Sequence, residues 1–253
     1  MRLKFEKLTD SQWQVMAKFL PVQRKRSLDL RRVVDAIRWL NETGCQWRNL
    51  PESFPPWTAV YYYFRRWKSD GTINTLNTGL NMIERQAWEK ELTPSLVCVD
   101  SQSVKSVPFV KNDKGIDANK RVNGRKRQVL VDTLGLVWGV IVHPANEHDS
   151  VAGGAVLRQL QNVFHDLEQI LIDKAYQGSF CQTARDVFGV TPEVSSKPPS
   201  TKGFVPVKWR WVSERTFAWF NFFRRLSKDY EKTKESSEAW LFWANCQMIL
   251  AKW

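Results

Sequence analysis

The sequence predicts an α/β (α+β) protein: a mixed five-stranded sheet with flanking helices, preceded by a small all-helical block. Three observations carry that prediction. Residues 1–90 repeat apolar side chains at helical spacing. From residue 94 the pattern changes to short β-branched and aliphatic runs broken by turns. The chain has 253 residues, enough for one sizeable core and a small second unit. The expected division is 1–92 and 93–253.

In the helical block, Thr9-Asp-Ser-Gln12 reads as a capping box, and Trp13, Met16, Ala17 and Leu20 follow on one stripe. Pro21 ends that helix. A second helix spans 29–43, with Leu30, Val33, Val34, Ile37 and Leu40 inward and Gly44 as its stop. A Pro-containing loop over 45–56 leads to a third helix, 57–68. There Val60, Phe64 and Trp67 are predicted to face the core, and Tyr62, Arg65, Arg66 and Lys68 to face outward. A fourth helix, about 73–91, connects to the sheet. Helix, loop and then a basic aromatic helix suits a helix-turn-helix type of DNA reader, which makes those four outward residues candidate DNA contacts.

The first strand is expected over Leu96–Asp100. Gln128–Thr133 and Leu136–His143 form a hairpin around Leu134-Gly135. Residues 149–164 are helical, Ile170–Ile172 is a strand, Ser179–Phe188 is helical, and Thr191–Ser195 is a fifth strand. A loop over 196–208 and helices at 212–226 and 235–252 close the chain. This order, strand, hairpin, helix, strand, helix, strand, helix, is the ribonuclease H-like order. It places the first and fourth strands side by side, so that Asp100 and Asp173, at their ends, emerge together. Residues 102–126, rich in Lys, Arg, Asn and Gly, are expected to lack order or to gain it on DNA.

Charge narrows the partner. The chain carries 38 basic and 26 acidic residues, a net +12. Residues 1–90 hold 16 Lys/Arg against 9 Asp/Glu, residues 105–127 hold 8 against 2, and residues 128–253 hold 14 against 13. Such an excess, in two blocks, points to a polyanion. Many of the 13 Trp lie beside Arg or Lys, a pattern suited to stacking and phosphate contact. The four Cys show no ligand spacing, which argues for buried free thiols rather than zinc. No signal peptide and no apolar run of membrane-span length are evident, so the expectation is a cytoplasmic protein with no membrane partner.

A third acid, Glu214, sits in the basic aromatic helical stretch 211–225. Asp100, Asp173 and Glu214 can converge on one cleft, and carboxylates are hard oxygen ligands suited to Mg²⁺ or Mn²⁺. In a basic protein the matching substrate is a nucleic-acid phosphodiester. Asp132 and Asp149 are competing acids near element ends, and His148 is expected in a surface turn. Lys105, Lys120, Arg121, Arg125, Lys126 and Arg127 are candidate phosphate contacts near the cleft. Arg210, Arg215, Arg224 and Arg225 are candidates beside Glu214.

Several blocks carry a family resemblance. They are Leu8-Thr-Asp-Ser-Gln-Trp13, Gly44-Cys-Gln-Trp-Arg-Asn-Leu-Pro51 and Phe54-Pro-Pro-Trp-Thr58 in the helical part. In the sheet part they are Val99-Asp-Ser-Gln-Ser-Val-Lys105, Asn123-Gly-Arg-Lys-Arg127, Ile172-Asp-Lys-Ala-Tyr-Gln-Gly178 and Trp211-Val-Ser-Glu-Arg-Thr-Phe-Ala-Trp219. The chain resembles bacterial insertion-sequence transposases with a DDE catalytic domain. The resemblance implies that Asp100, Asp173 and Glu214 are the catalytic, metal-binding acids, with two Mg²⁺ (or Mn²⁺) ions per site; Asp100, lying between two β neighbours, is the expected bridging ligand. It implies binding to transposon terminal inverted repeats, hydrolytic cleavage at the ends and joining of the 3′-OH to target DNA. A homodimer associated with the bacterial nucleoid is implied too. Related transposases carry a Tyr-x2-Arg-x3-Glu-x6-Lys signature. Arg210 and Glu214 match it, while Val207 and Asn221 stand at the Tyr and Lys positions. Two alternatives stay open on the residues: a metal-dependent nuclease without strand transfer, and a non-catalytic DNA-binding protein.

Overall fold

The computed structural model describes residues 5–23, 28–195 and 210–253. The loop expected over 196–208, Val207 within it, and the side chain of Arg210 lie outside the described residues. Helix α1 (Asp10–Ala17) opens on the anticipated capping box: the Thr9 hydroxyl accepts from the Gln12 N–H, and the Gln12 side chain accepts from the Thr9 N–H. Helix α2 (Leu30–Thr43) starts after Asp29 and stops at Gly44, where φ is 68°. A Cβ at Gly44 would also lie 3.1 Å from the Arg224 backbone, so conformation and space both call for glycine. Helices α3 (Trp57–Ser69) and α4 (Thr72–Ala87) complete the block.

The sheet contains β1 (Leu96–Lys105), β2 (Gly115–Asp117), β3 (Val122–Asp132), β4 (Val137–Pro144), β5 (Gln169–Ile172) and β6 (Glu193–Val194). Its order is β4-β3-β1-β5-β6, with β2 pairing the first residues of β3. Strands β1, β5 and β6 are mutually parallel, and β3 runs antiparallel to β1 and β4. This is the mixed ribonuclease H-like sheet, and its first and fourth main strands are indeed neighbours.

Three details correct the expectations. The sheet has a sixth strand, the short β2. Residues 102–126 are not devoid of order: β1 runs five residues beyond Asp100, and β3 begins at Val122, pairing Gln102↔Arg127 through Lys105↔Gly124. Asp100 therefore lies inside a strand rather than at its end. The polar alternation there finds partners across strands, as Ser103 Oγ does on Asp117 at 2.5 Å, so the strand carries no apolar signature. The helix expected over 149–164 is two short ones, α5 (Asp149–Ala152) and α6 (Gly154–Gln159). They break at Gly153, where a Cβ would meet Gln128 Oε1 at 2.7 Å.

After α7 (Ser179–Phe188) and α8 (Arg210–Phe220) comes α9 (Lys234–Leu250), which is buried over most of its length. The N-terminal helices pack on it. Phe64 stacks on Trp240 with centroids 4.4 Å apart, and Trp67 meets Trp243 at 6.4 Å. Asn245 of α9 donates to Asn77 and Asn81 of α4 at 2.7 and 2.9 Å, and accepts from the Val137 N–H. Asn77 and Asn81 in turn both donate to the Val137 carbonyl at 2.8 Å. The Val137 N–H and carbonyl, and the Val142 N–H through Glu238, are thus satisfied by side chains on edge strand β4, which hinders further strand pairing there. Buried side chains from both sides of residue 92 form one continuous cluster.

Candidate active site

Parallel register sets the first two acids side by side. Strands β1 and β5 pair as Leu96↔Gln169, Val97↔Ile170 and Cys98↔Leu171. Two residues further on, the same offset brings Asp100 opposite Asp173, whose backbone is still extended (φ −90°, ψ 174°). Neighbouring strands lie about 4.8 Å apart, and equal parity gives both side chains the same face. Backbone N–H groups orient each carboxylate. Asp100 Oδ1 accepts from Ser101 at 2.7 Å, and Asp173 Oδ1 accepts from Ala175 at 2.7 Å, capping the single turn Lys174–Tyr176. Because β5 stops while β1 runs on, the edge of β1 opens into a notch.

Helix α8 brings the third acid. It packs across β1 and β3 with Val212, Ser213, Thr216 and Phe220 buried. Thr216 Oγ1 donates to the Gly135 carbonyl at 3.2 Å, and Arg215 donates to the Leu134 carbonyl at 3.0 Å. The Arg215 guanidinium is also layered between Trp211 and Trp219, 4.4 and 4.6 Å from their rings. That seating leaves Glu214, Phe217, Ala218 and Asn221 on the wall of a cleft of about 670 Å³, which Asp100 and Asp173 also line.

Antiparallel partners share a face, so Ser101 goes with Gln128 and Ser103 with Lys126 on the face opposite Asp100, and Ser101, Ser103 and Lys126 also line the cleft. Lys126 Nζ reaches the Asp149 carboxylate at 3.3 Å, and Gln128 Nε2 lies 3.0 Å from His143 Nε2. Burial holds His143 below the usual histidine range, against the pull of the Pro144 carbonyl, Glu147 and Asp149. Burial, with the charges of Asp149, Asp100 and Asp173, raises the Tyr176 hydroxyl well above its ordinary value; Ser101 works the other way. Burial also disfavours the charged form of Asp117, but bonds from Ser103 and the Lys120 N–H, with Lys126 near, hold its carboxyl low.

Among the described residues, no three His, Cys, Asp or Glu side chains are drawn together tightly enough to hold an ion. Three like charges on three separate elements repel one another. The donors nevertheless fit a hard divalent cation by type and by the opening they share.

The other sequence candidates fall into distinct groups. Tyr62, Arg65, Arg66, Lys105, Lys120, Arg121 and Arg224 are exposed, while Lys68 is half-buried and donates to Ser236. Arg125, Arg127 and Arg225 are buried and held by protein groups, which corrects their assignment as phosphate contacts. Arg125 donates to the carbonyls of Asp113, Asn112, Glu231 and Lys232 and pairs with Asp229 at 3.4 Å. Arg127 donates to the Leu226 and Lys228 carbonyls; burial lowers its guanidinium to about 10, with Asp229 and Glu231 opposing. Arg225 pairs with Glu231 at 2.8 Å and lies over Trp240. Arg215 is half-buried in its Trp layers.

Asp132 is buried outside the cleft, receiving Arg85 at 2.8 Å, Trp138 Nε1 and the Leu134 and Leu136 N–H groups. His148 caps α5, its Nδ1 accepting from the Ser150 N–H. None of the four cysteines is in a disulfide, and burial pushes the Cys98 thiol up to about 12, with Asp100 and Asp132 adding. The sequence did not mark Asp117, Gln102 or Asn119 as cleft residues.

Residues 8–77 match the family model described as "Putative transposase of IS4/5 family (DUF4096)", and residues 91–190 match the "Transposase DDE domain". Over 84 residues, 32% of this chain, the sequence is 31% identical to the uncharacterized protein y4sN of Sinorhizobium fredii, and that match spans 65% of the relative's length. No described helix is long and apolar enough to cross a membrane. The helical block and the sheet are thus each similar to a transposase, and the two matches together are consistent with a DDE-type insertion-sequence transposase.

Proposed function

We propose that this protein binds the terminal inverted repeats of an insertion sequence, cuts DNA at those ends and joins the freed 3′-OH to target DNA. The observation that carries the proposal is the opening of Asp100, Asp173 and Glu214 onto one cleft. Mg²⁺ or Mn²⁺, two ions held by these three acids, would activate the attacking oxygen and stabilise the leaving one. The chain's own residues position the DNA around them. Strands β1 and β5 hold Asp100 and Asp173 on a rigid floor, and α8 sets Glu214 against it. Lys120 and Lys126 line the same cleft, where they would draw in the phosphate backbone, with exposed Lys105 and Arg121 extending the basic approach. Such contacts place the duplex without reading it.

Residues 1–92 would supply end recognition, through Tyr62, Arg65, Arg66 and Lys68 on the outer side of α3. Two copies, each holding one end, make a homodimer the working unit, in a bacterial cytoplasm at the nucleoid. The test is cleavage of a labelled terminal duplex in Mg²⁺ or Mn²⁺. Asp100→Asn, Asp173→Asn and Glu214→Gln each abolish it and leave DNA binding intact. Near-normal cleavage by any one of them removes that acid from the site. Products lengthened by joining to a target separate a transposase from a nuclease, which yields only shortened strands.

A further inference from the structure

A second concavity, about 850 Å³, lies between α3 and the segment 225–236. Its floor is a fixed aromatic stack. Trp47 meets Phe64 at 5.3 Å and Trp240 at 5.7 Å, and Arg225 covers Trp47 and Trp240 at 5.5 and 4.4 Å. Above this floor stand partly exposed aromatic rings: Tyr61, 37% exposed with its ring 4.9 Å from Trp47, Tyr230, also 37% exposed, and Phe109, 60% exposed. Cations sit on the rim. Arg48 lies over Trp57 at 5.7 Å, Arg65 lies over Tyr61 at 5.7 Å, and Lys68 and Lys232 are beside them. The lining acid, Glu231, is committed to Arg225.

Solvent-facing rings beneath a basic rim match one polyanion better than another. A duplex keeps its bases inside and needs only the cations. Unpaired nucleotides offer ring faces as well as phosphates, and each base stacked on an aromatic adds to affinity without regard to sequence. The location also fits. Strand β1 leads from Asp100 to Ser106, which bridges to Asp229 at the groove's edge. At about 3.3 Å per residue that path is roughly 20 Å, or about six nucleotide steps at 3.4 Å each.

Resting on the transposase reading, we propose that this groove seats an unpaired stretch of DNA strand about six nucleotides from the bond at the acids. The strand's bases stack on Phe109, Tyr61 and Tyr230, and its phosphates meet Arg48 and Lys232.

The experiment uses the full chain, an oligothymidine of about 12 nucleotides, and terminal duplexes with or without three unpaired bases placed about six steps from the cut, one of them 2-aminopurine. Phe109→Ala and Tyr61→Ala change exposed side chains, and thermal melting checks that each variant folds. Each is expected to weaken oligothymidine binding by about 5- to 100-fold, to lose the 2-aminopurine quench and to leave binding of the fully paired duplex unchanged. Phe109→Trp restores binding. Oligothymidine affinity within twofold of the parent in both variants overturns the proposal. So does a shift from dimer to monomer with strand binding intact, which makes the groove a self-association surface. The acid-to-amide variants report on the transposase reading separately. Normal cleavage by them sinks that reading, whereas loss of cleavage together with unchanged strand binding in the groove variants sinks the groove alone.

Discussion

Arg125 and Lys126 are adjacent, both basic and both in β3, yet strand geometry gives them opposite fates. Removing the Arg125 side chain should unfold, not merely unhook. Its guanidinium is fully buried, pairs with Asp229, and donates to four carbonyls drawn from two loops. Arg125→Ala leaves the Asp229 carboxylate buried without its ion-pair partner, with the Ser237 hydroxyl and the Glu231 N–H as its remaining donors among the described residues. Breaking a buried pair from one side costs about 3–5 kcal/mol, a large share of the roughly 5–15 kcal/mol that holds a domain together. For a chain of this size that is a drop in Tm of about 6–10 °C. Lys126→Ala removes a side chain at the cleft wall and leaves Asp149 with the Gln128 amide as a donor, so it should cost less stability than Arg125→Ala. It should instead weaken DNA binding and lower the slope of log affinity against log salt by about one. Urea unfolding and salt-titrated binding on both variants decide the matter. An Arg125→Ala protein of parental stability that binds DNA with a shallower salt slope would refute the structural role assigned to this arginine.

Two further outcomes follow from exposed and buried charge. Arg65→Ala with Arg66→Ala should reduce the salt slope for terminal duplex by about two at unchanged Tm; an unchanged slope would show that α3 does not touch phosphate. Burial pushes the Glu238 carboxyl up to about 7, with the Val142 N–H bond opposing and Glu235 adding. The folded chain therefore holds a proton that the unfolded chain has lost between about pH 4.5 and 7, and stability falls as pH rises through that window. Glu238→Gln keeps an acceptor for the Val142 N–H and should remove the fall. It should be about 2–3 kcal/mol more stable than the parent at pH 8 and no more stable near pH 4. Parallel pH profiles for the two proteins would rule this out.

What the sequence disclosed depended on where apolar side chains did the specifying. Helices α2 and α3 and the β3–β4 hairpin bury aliphatic or aromatic stripes, and their spacing alone located them. The offset of 73 between Asp100 and Asp173 became a register once β1 and β5 were known to be parallel neighbours. Misreadings fell on polar segments. In 102–126 the strand code is written in Ser, Gln, Lys and Arg, and composition reads such residues as solvated. Alternation of period two was present all along: Arg125 and Arg127 share one face, and Lys126 and Gln128 share the other. Nothing local reveals which face is dry. The partners that dry it, the carbonyls of residues 226–232 and the carboxylate of Asp229, lie about a hundred residues downstream. The same long-range dependence joins the helical block to the sheet. Phe64 and Trp67 announce a buried face at residue 60, but the surface they bury against is Trp240 and Trp243 of the last helix. A chain cut near residue 92 would expose both halves of that contact. The proposed end recognition is therefore better probed by point changes on α3 than by truncation, because one continuous buried cluster joins α3 to the strands at Asp100 and Asp173.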